Sequence, residues 1–103
     1  MERYTYQLNS ARTAAGSKRI AIAGVVASGN LEVLLERCLT PETCTVEVAT
    51  PVRGFRAVWD AVIRDFMERR AAGGLHISIN DGGARPDTVA LRLAQGLRML
   101  EIM

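Results

Sequence analysis

The sequence predicts an α+β fold, a two-layer sandwich in which two helices cover one face of a mixed four- or five-stranded sheet in the order β-β-β-β-α-β-α. Three observations predict it. Four short stretches with strand character precede any helical pattern, two later stretches carry apolar residues three and four apart, and a fifth alternating stretch lies between those two. A chain of 103 residues buries roughly two thirds of its unfolded surface, enough for one ordinary core without staples. Residues 1–103 are therefore expected to form one domain, with 1–18 supplying an edge strand and a loop.

Each element has its own signal. RYTYQL, residues 3–8, alternates with Tyr4, Tyr6 and Leu8 on one face, and ARTAAGS after it is a loop. RIAIAGVVA, residues 19–27, is apolar enough for a buried strand, with Gly24 marking a bulge or bend. Ser28-Gly29-Asn30 then turns the chain, Gly29 and Asn30 being the residues that tolerate positive φ. Leu31, Val33 and Leu35 alternate with Glu32 and Glu36 in the returning strand, which makes a hairpin with its predecessor. After the Pro41 turn, CTVEVAT sets Cys44, Val46 and Val48 inward and Thr45 and Glu47 outward.

Phe55, Val58, Trp59, Val62, Ile63, Phe66 and Met67 form the apolar stripe of the first helix. Asp60 with Arg64, and Asp65 with Arg69, stand four apart with the acid first, the supporting orientation, and Gly73-Gly74 are expected to end the helix. LHISI is the fifth strand, and the helix before it implies a right-handed crossover with that strand parallel to CTVEVAT. NDGGAR turns into a last helix with Pro86 at its first position, Asp87 beside it, and a stripe of Val89, Leu93, Leu97 and Leu100.

Composition narrows the function classes. Thirteen basic against 11 acidic residues give a net charge of +2, too balanced for the segregated basic face of a nucleic-acid binder. The polar N-terminus lacks the apolar stretch of a secretory signal, and the longest apolar run, IAIAGVVA, falls far short of the roughly 20 residues a membrane helix needs. A cytoplasmic protein is expected, with Cys38 and Cys44 as reduced thiols. His76 is the single histidine and no ligand spacing accompanies it, so no metal site is expected.

No catalytic set is expected either. Ser28 has Ala27 before it and a strand beyond it, unlike the Gly-x-Ser-x-Gly elbow that leads into a helix. His76, between Leu75 and Ile77, points off the core face and has no evident orienting partner. NDGGAR, residues 80–85, offers backbone N–H groups and Arg85 to an anion, the plainer reading being a turn whose glycines supply positive φ. Arg53, Arg56, Arg64, Arg69 and Arg70 offer a surface to an acidic partner, the plainer reading being a solvated helix face.

One stretch is more specific. ASGNLEVLLE, residues 27–36, with VATPVRGFRAVW and HISINDGGARPDTVALRLAQG in order behind it, resembles the acyl carrier subunit of malonate decarboxylase, a biotin-independent bacterial multienzyme, over residues 19–98. The resemblance implies that Ser28 carries a phosphoribosyl-dephospho-CoA arm through a phosphodiester, with Gly29 and Asn30 supporting the turn and Asp81 and Arg85 as candidate contacts for the arm or a partner. It implies a non-catalytic chain whose arm bears acetyl and malonyl thioesters. The implied partners are an acyl carrier transferase subunit, the decarboxylase subunits, a malonyl transacylase and the nucleotidyltransferase that attaches the arm. Asn30 departs from the Ser-Gly-Asp of that pattern, keeping the turn but losing a carboxylate. Two other readings stand beside it: the acyl carrier subunit of citrate lyase, with a similar fold and arm, and a non-carrier α+β module that binds a metabolite or mediates oligomerisation, in which Ser28 is only a turn residue.

Overall fold

In the computed structural model five strands and two helices follow the expected order: β1 (Glu2–Asn9), β2 (Ile20–Gly24), β3 (Leu31–Arg37), β4 (Thr43–Thr50), α1 (Arg56–Arg69), β5 (Leu75–Asp81) and α2 (Pro86–Glu101). The structure describes residues 1–102; Met103, the last residue of the expected 1–103 domain, lies outside the described residues. The strands form one sheet in the order β1-β4-β5-β3-β2. β4 and β5 run parallel and the other neighbours antiparallel, so the sheet is mixed and β1 is an edge strand.

Alternation decides which face is dry. Leu31, Val33, Leu35, Cys44, Val46, Val48, Leu75, Ile77 and Ile79 are all buried, and Trp59, Ile63 and Phe66 of α1 with Val89, Leu93, Leu97 and Leu100 of α2 close the same cluster. α2 lies over β2 and β3 and touches α1. Gly96 lets it approach closely, since a Cβ there would run into the Leu35 side chain and lie 3.6 Å from Ala23 Cβ. Small side chains on β2, Ala21 and Ala23, complete that contact.

Four local expectations change. β2 ends at Gly24, whose φ of +81° and tight approach to the Leu31 carbonyl stop the strand; residues 25–30 form a loop, with Val25 and Val26 exposed. Within β2 the alanines face the core and Ile20 and Ile22 face solvent, more than half exposed. Asp60 does not pair with Arg64: it accepts a 2.6 Å hydrogen bond from the Tyr6 hydroxyl, tying β1 to α1, whereas Asp65 and Arg69 pair as expected at 2.8 Å. The glycines do not end α1, because the chain is already extended at Arg70 (φ −124°). Gly73 instead packs against the Pro41 carbonyl, and Gly74 (φ +92°) donates to Thr43 O at 2.7 Å.

One side chain holds three segments together. Arg37, at the end of β3, donates to the carbonyls of Ala14 (2.6 Å), Ala15 (2.7 Å), Lys18 (2.8 Å) and Leu100 (3.3 Å), fixing the β1–β2 loop and the last turn of α2. A guanidinium fork reaches four acceptors that an ammonium cannot reach together. Arg37→Ala is expected to cost about 2 kcal/mol, which lowers Tm by roughly ten degrees in a domain of this size. Arg37→Lys should recover less than half of the loss, and thermal unfolding of the two variants checks both.

Candidate functional site

Ser28 sits at the tip of the β2–β3 loop and is exposed. The turn is closed by Asn30 N donating to Ala27 O at 2.9 Å, with Gly29 at φ +74° in third place and the turn's other residues at negative φ. That is the pattern of a type II turn. Only Gly29 meets the positive-φ expectation, and Asn30 has a different task. Its Oδ1 accepts from Leu31 N at 2.8 Å and from Arg92 Nε at 3.2 Å, so it links the turn to α2. Arg92, itself held by Gln95 at 2.7 Å, lies within the HISINDGGARPDTVALRLAQG stretch, but no local signal there gives it this role. A carboxylate at position 30 would receive the same two donors with charge assistance, so Asn30→Asp is expected to leave Tm unchanged or raise it by a few degrees. A drop in Tm would mean that the amide has a role beyond accepting.

The turn does not project freely. Gly29 N donates to Gly82 O at 2.9 Å and Gly82 N donates to Asn30 O at 2.8 Å, which prolongs the β3–β5 ladder past Leu31 and Asp81. Gly82 is required by closeness and not by conformation: a Cβ there would strike the Ala27 carbonyl oxygen and lie 3.0 Å from Asn30 O. Of the two glycines in NDGGAR only Gly83 has positive φ, +93°, which corrects the reading of both as conformational glycines.

Asp81 and Arg85 come to the same end of the sheet in different roles. Asp81 is buried, and its two oxygens accept from Thr50 Oγ1 (2.8 Å) and Ala84 N (2.9 Å). It braces the loop that holds the Ser28 turn. Arg85 is exposed immediately before α2, its Nε 3.6 Å from Asp87.

The remaining candidates lie elsewhere. His76 is half-buried on the helix-free face, as its alternation predicts, but it does have partners: Glu36 at 3.6 Å and Glu47 at 3.4 Å, from the strands on either side. Cys38 is exposed and Cys44 buried, both as free thiols, and burial pushes the Cys44 thiol up to about 11, so it stays protonated at neutral pH. Among the described residues no cluster of three or more His, Cys, Asp or Glu is arranged to hold a metal ion, and no helix is long and apolar enough to cross a membrane. The five helix-region arginines are exposed, with Arg56 5.2 Å from the centroid of the Tyr4 ring.

Comparison with known proteins assigns the chain. The family described as malonate decarboxylase delta subunit (MdcD) matches residues 18–100. A malonate decarboxylase acyl carrier protein of Bradyrhizobium diazoefficiens is 60% identical over 85 residues, 82% of this chain and 81% of that protein. One of Xanthomonas euvesicatoria is 46% identical over 101 residues, 98% of this chain and 96% of its own. Among solved structures, a chain from the crystal structure of a Pseudomonas malonate decarboxylase hetero-tetramer in complex with malonate superposes with a TM-score of 0.84 at 33% identity, covering 97% of this chain and 99% of that one. The chain belongs to the malonate decarboxylase delta subunit family of acyl carrier proteins, and it is a carrier rather than a catalytic subunit.

Proposed function

We propose that the chain carries acyl groups for malonate decarboxylation on a phosphoribosyl-dephospho-CoA arm esterified to Ser28. The observation that carries this is the exposed Ser28 hydroxyl on a turn locked to Gly82 by two backbone hydrogen bonds, in a chain of an acyl carrier family. An attachment point needs a hydroxyl that is reachable and held still, and the turn offers both. The residues also fit the group: a Cβ on Gly29 would meet nothing within 4 Å, so the space beside the hydroxyl admits a phosphodiester and the enzyme that makes it.

When bound, the arm supplies a terminal thiol that carries acyl groups as thioesters. The chain's own residues fix where that arm starts. Gly82 and Asn30 hold the turn, Arg92 steadies Asn30 from α2, and Asp81 braces the loop behind them. Arg85 is an exposed cation at this end, suited to a phosphate or an acidic partner surface.

Its partners on this reading are the acyl carrier transferase and decarboxylase subunits, a malonyl transacylase and the nucleotidyltransferase that installs the arm. The solved relative comes from a hetero-tetramer, which supports service to other subunits. A cytoplasmic setting agrees with the free thiols of Cys38 and Cys44.

Intact mass and peptide mapping across residues 19–37 test the reading, on protein purified from its native host grown on malonate. An increment equal to the arm and localised to Ser28 is expected. A bare Ser28 in a complex that decarboxylates malonate would overturn it.

A further inference from the structure

Besides Val25 and Val26 in the loop itself, an apolar surface is left uncovered near the Ser28 turn. Phe55 and Val58, in the expected stripe of α1, are 48% and 37% exposed. With Val52, Trp59 and Val89 they line a groove of about 250 Å³ between α1 and the start of α2, and Arg85 stands in its wall. The packing of the two helices closes the core below this groove but does not fill it.

We propose that the groove holds the acetyl-bearing end of the arm between transfers. The inference rests on Ser28 as the attachment site. Continuity identifies the occupant: Gly82 grips the Ser28 turn, and the next residue, Gly83, already lines the groove. Charge agrees: Arg85, 3.6 Å from Asp87, offers its remaining guanidinium donors to the arm's phosphates where the groove meets the loop, and Asp81, the carboxylate of the lining, is already engaged by Thr50 and Ala84. Size agrees as well. The volume falls just below the roughly 300–1,000 Å³ of sites that enclose a drug-sized ligand, so it suits the apolar, thioester-bearing end and leaves the nucleotide outside. An acyl group seated there is shielded from water and from stray nucleophiles, and a partner subunit must draw it out before chemistry begins.

The test compares full-length chain with and without the arm, each verified by intact mass and peptide mapping. Trp59, the single tryptophan, lies in the groove wall and reports on it by fluorescence; backbone amide resonances report residue by residue. Attachment of the acetylated arm is expected to change Trp59 emission and to shift the amides of Phe55–Val62 and Gly83–Val89. Val58→Glu, at a partly exposed position, should abolish that arm-dependent difference while the mass increment on Ser28 stays. An increment on Ser28 with shifts confined to residues 25–31 and Gly82 would overturn the groove and leave the attachment site standing. Absence of any increment from an active complex would overturn both. The wild-type pair decides the matter even where the Glu variant fails to fold.

Discussion

Ser28→Ala is expected to fold like the wild type and to carry no acyl group at all. The turn around it is closed by Asn30 N on Ala27 O and anchored by the Gly82 peptide, so backbone groups determine its shape. An exposed Ser-to-Ala change away from a buried network costs within about 0.5 kcal/mol. Loss of the hydroxyl removes the only atom of that side chain able to form a phosphodiester, so the expected effect on acyl loading in the assembled complex is complete. Thermal unfolding and radiolabelled acyl transfer separate the two effects. Retained loading in a normally folded Ser28→Ala chain would move the attachment site elsewhere.

The second large effect is expected from a residue with no functional group. Gly82→Ala places a methyl against the Ala27 carbonyl and 3.0 Å from Asn30 O. Both neighbours are backbone, so the loops must part, and the two hydrogen bonds that hold the turn weaken or break. Overpacking of this kind costs about 1–3 kcal/mol. The rate of arm attachment should fall at least tenfold, because the attaching enzyme no longer meets a fixed hydroxyl. Gly83→Ala is the control. A Cβ there has only Val52 Cγ2 at 3.9 Å, but φ is +93°, so the variant bears a conformational cost of about 1 kcal/mol without displacing the Ser28 turn. Equal attachment rates for the two variants would show that the Gly82 contact does not position the serine.

Much of this was legible in the chain, and the exceptions share a cause. The α2 stripe of Val89, Leu93, Leu97 and Leu100 is buried residue for residue, because those four follow one helical face, while Leu91 and Met99 fall off it and stay exposed. β3 and β4 alternate apolar with charged or polar residues except at Leu34, Ala49 and Thr50, and the remaining positions fix their inward faces. IAIAGVVA is apolar at both phases, so period two cannot tell which set faces inward. The deciding factor is the close approach of Gly96, which admits alanine and excludes isoleucine.

The site divides in the same way. Ser28 and Gly29 carry local turn chemistry that can be read off the sequence. The roles of Gly82, Asn30 and Arg92 are contacts across 52 to 62 positions of chain, and no local pattern encodes them. Gly82 and Gly83 look alike in sequence, yet one is required by the backbone that stands opposite it and the other by its positive φ. Phe55 and Val58 follow the helical stripe faithfully, yet the stripe is wider than the core that receives it.

The placement of β5 has a temporal consequence. The sheet consists of a β1–β4 pair and a β2–β3 hairpin, and only β5 hydrogen-bonds to both. It also follows the other four strands of this sheet in the chain, so an emerging chain holds two half-sheets with no centre until residue 81 is available. Non-local closures of this kind are slow and come late. The same closure brings Gly82 to the Ser28 turn. A ribosome-bound chain truncated before β5 therefore displays the serine on a loose loop, and only the finished fold presents it in a fixed pose. Arm attachment that requires this pose would act as a checkpoint, marking completed carriers and passing over unfinished ones.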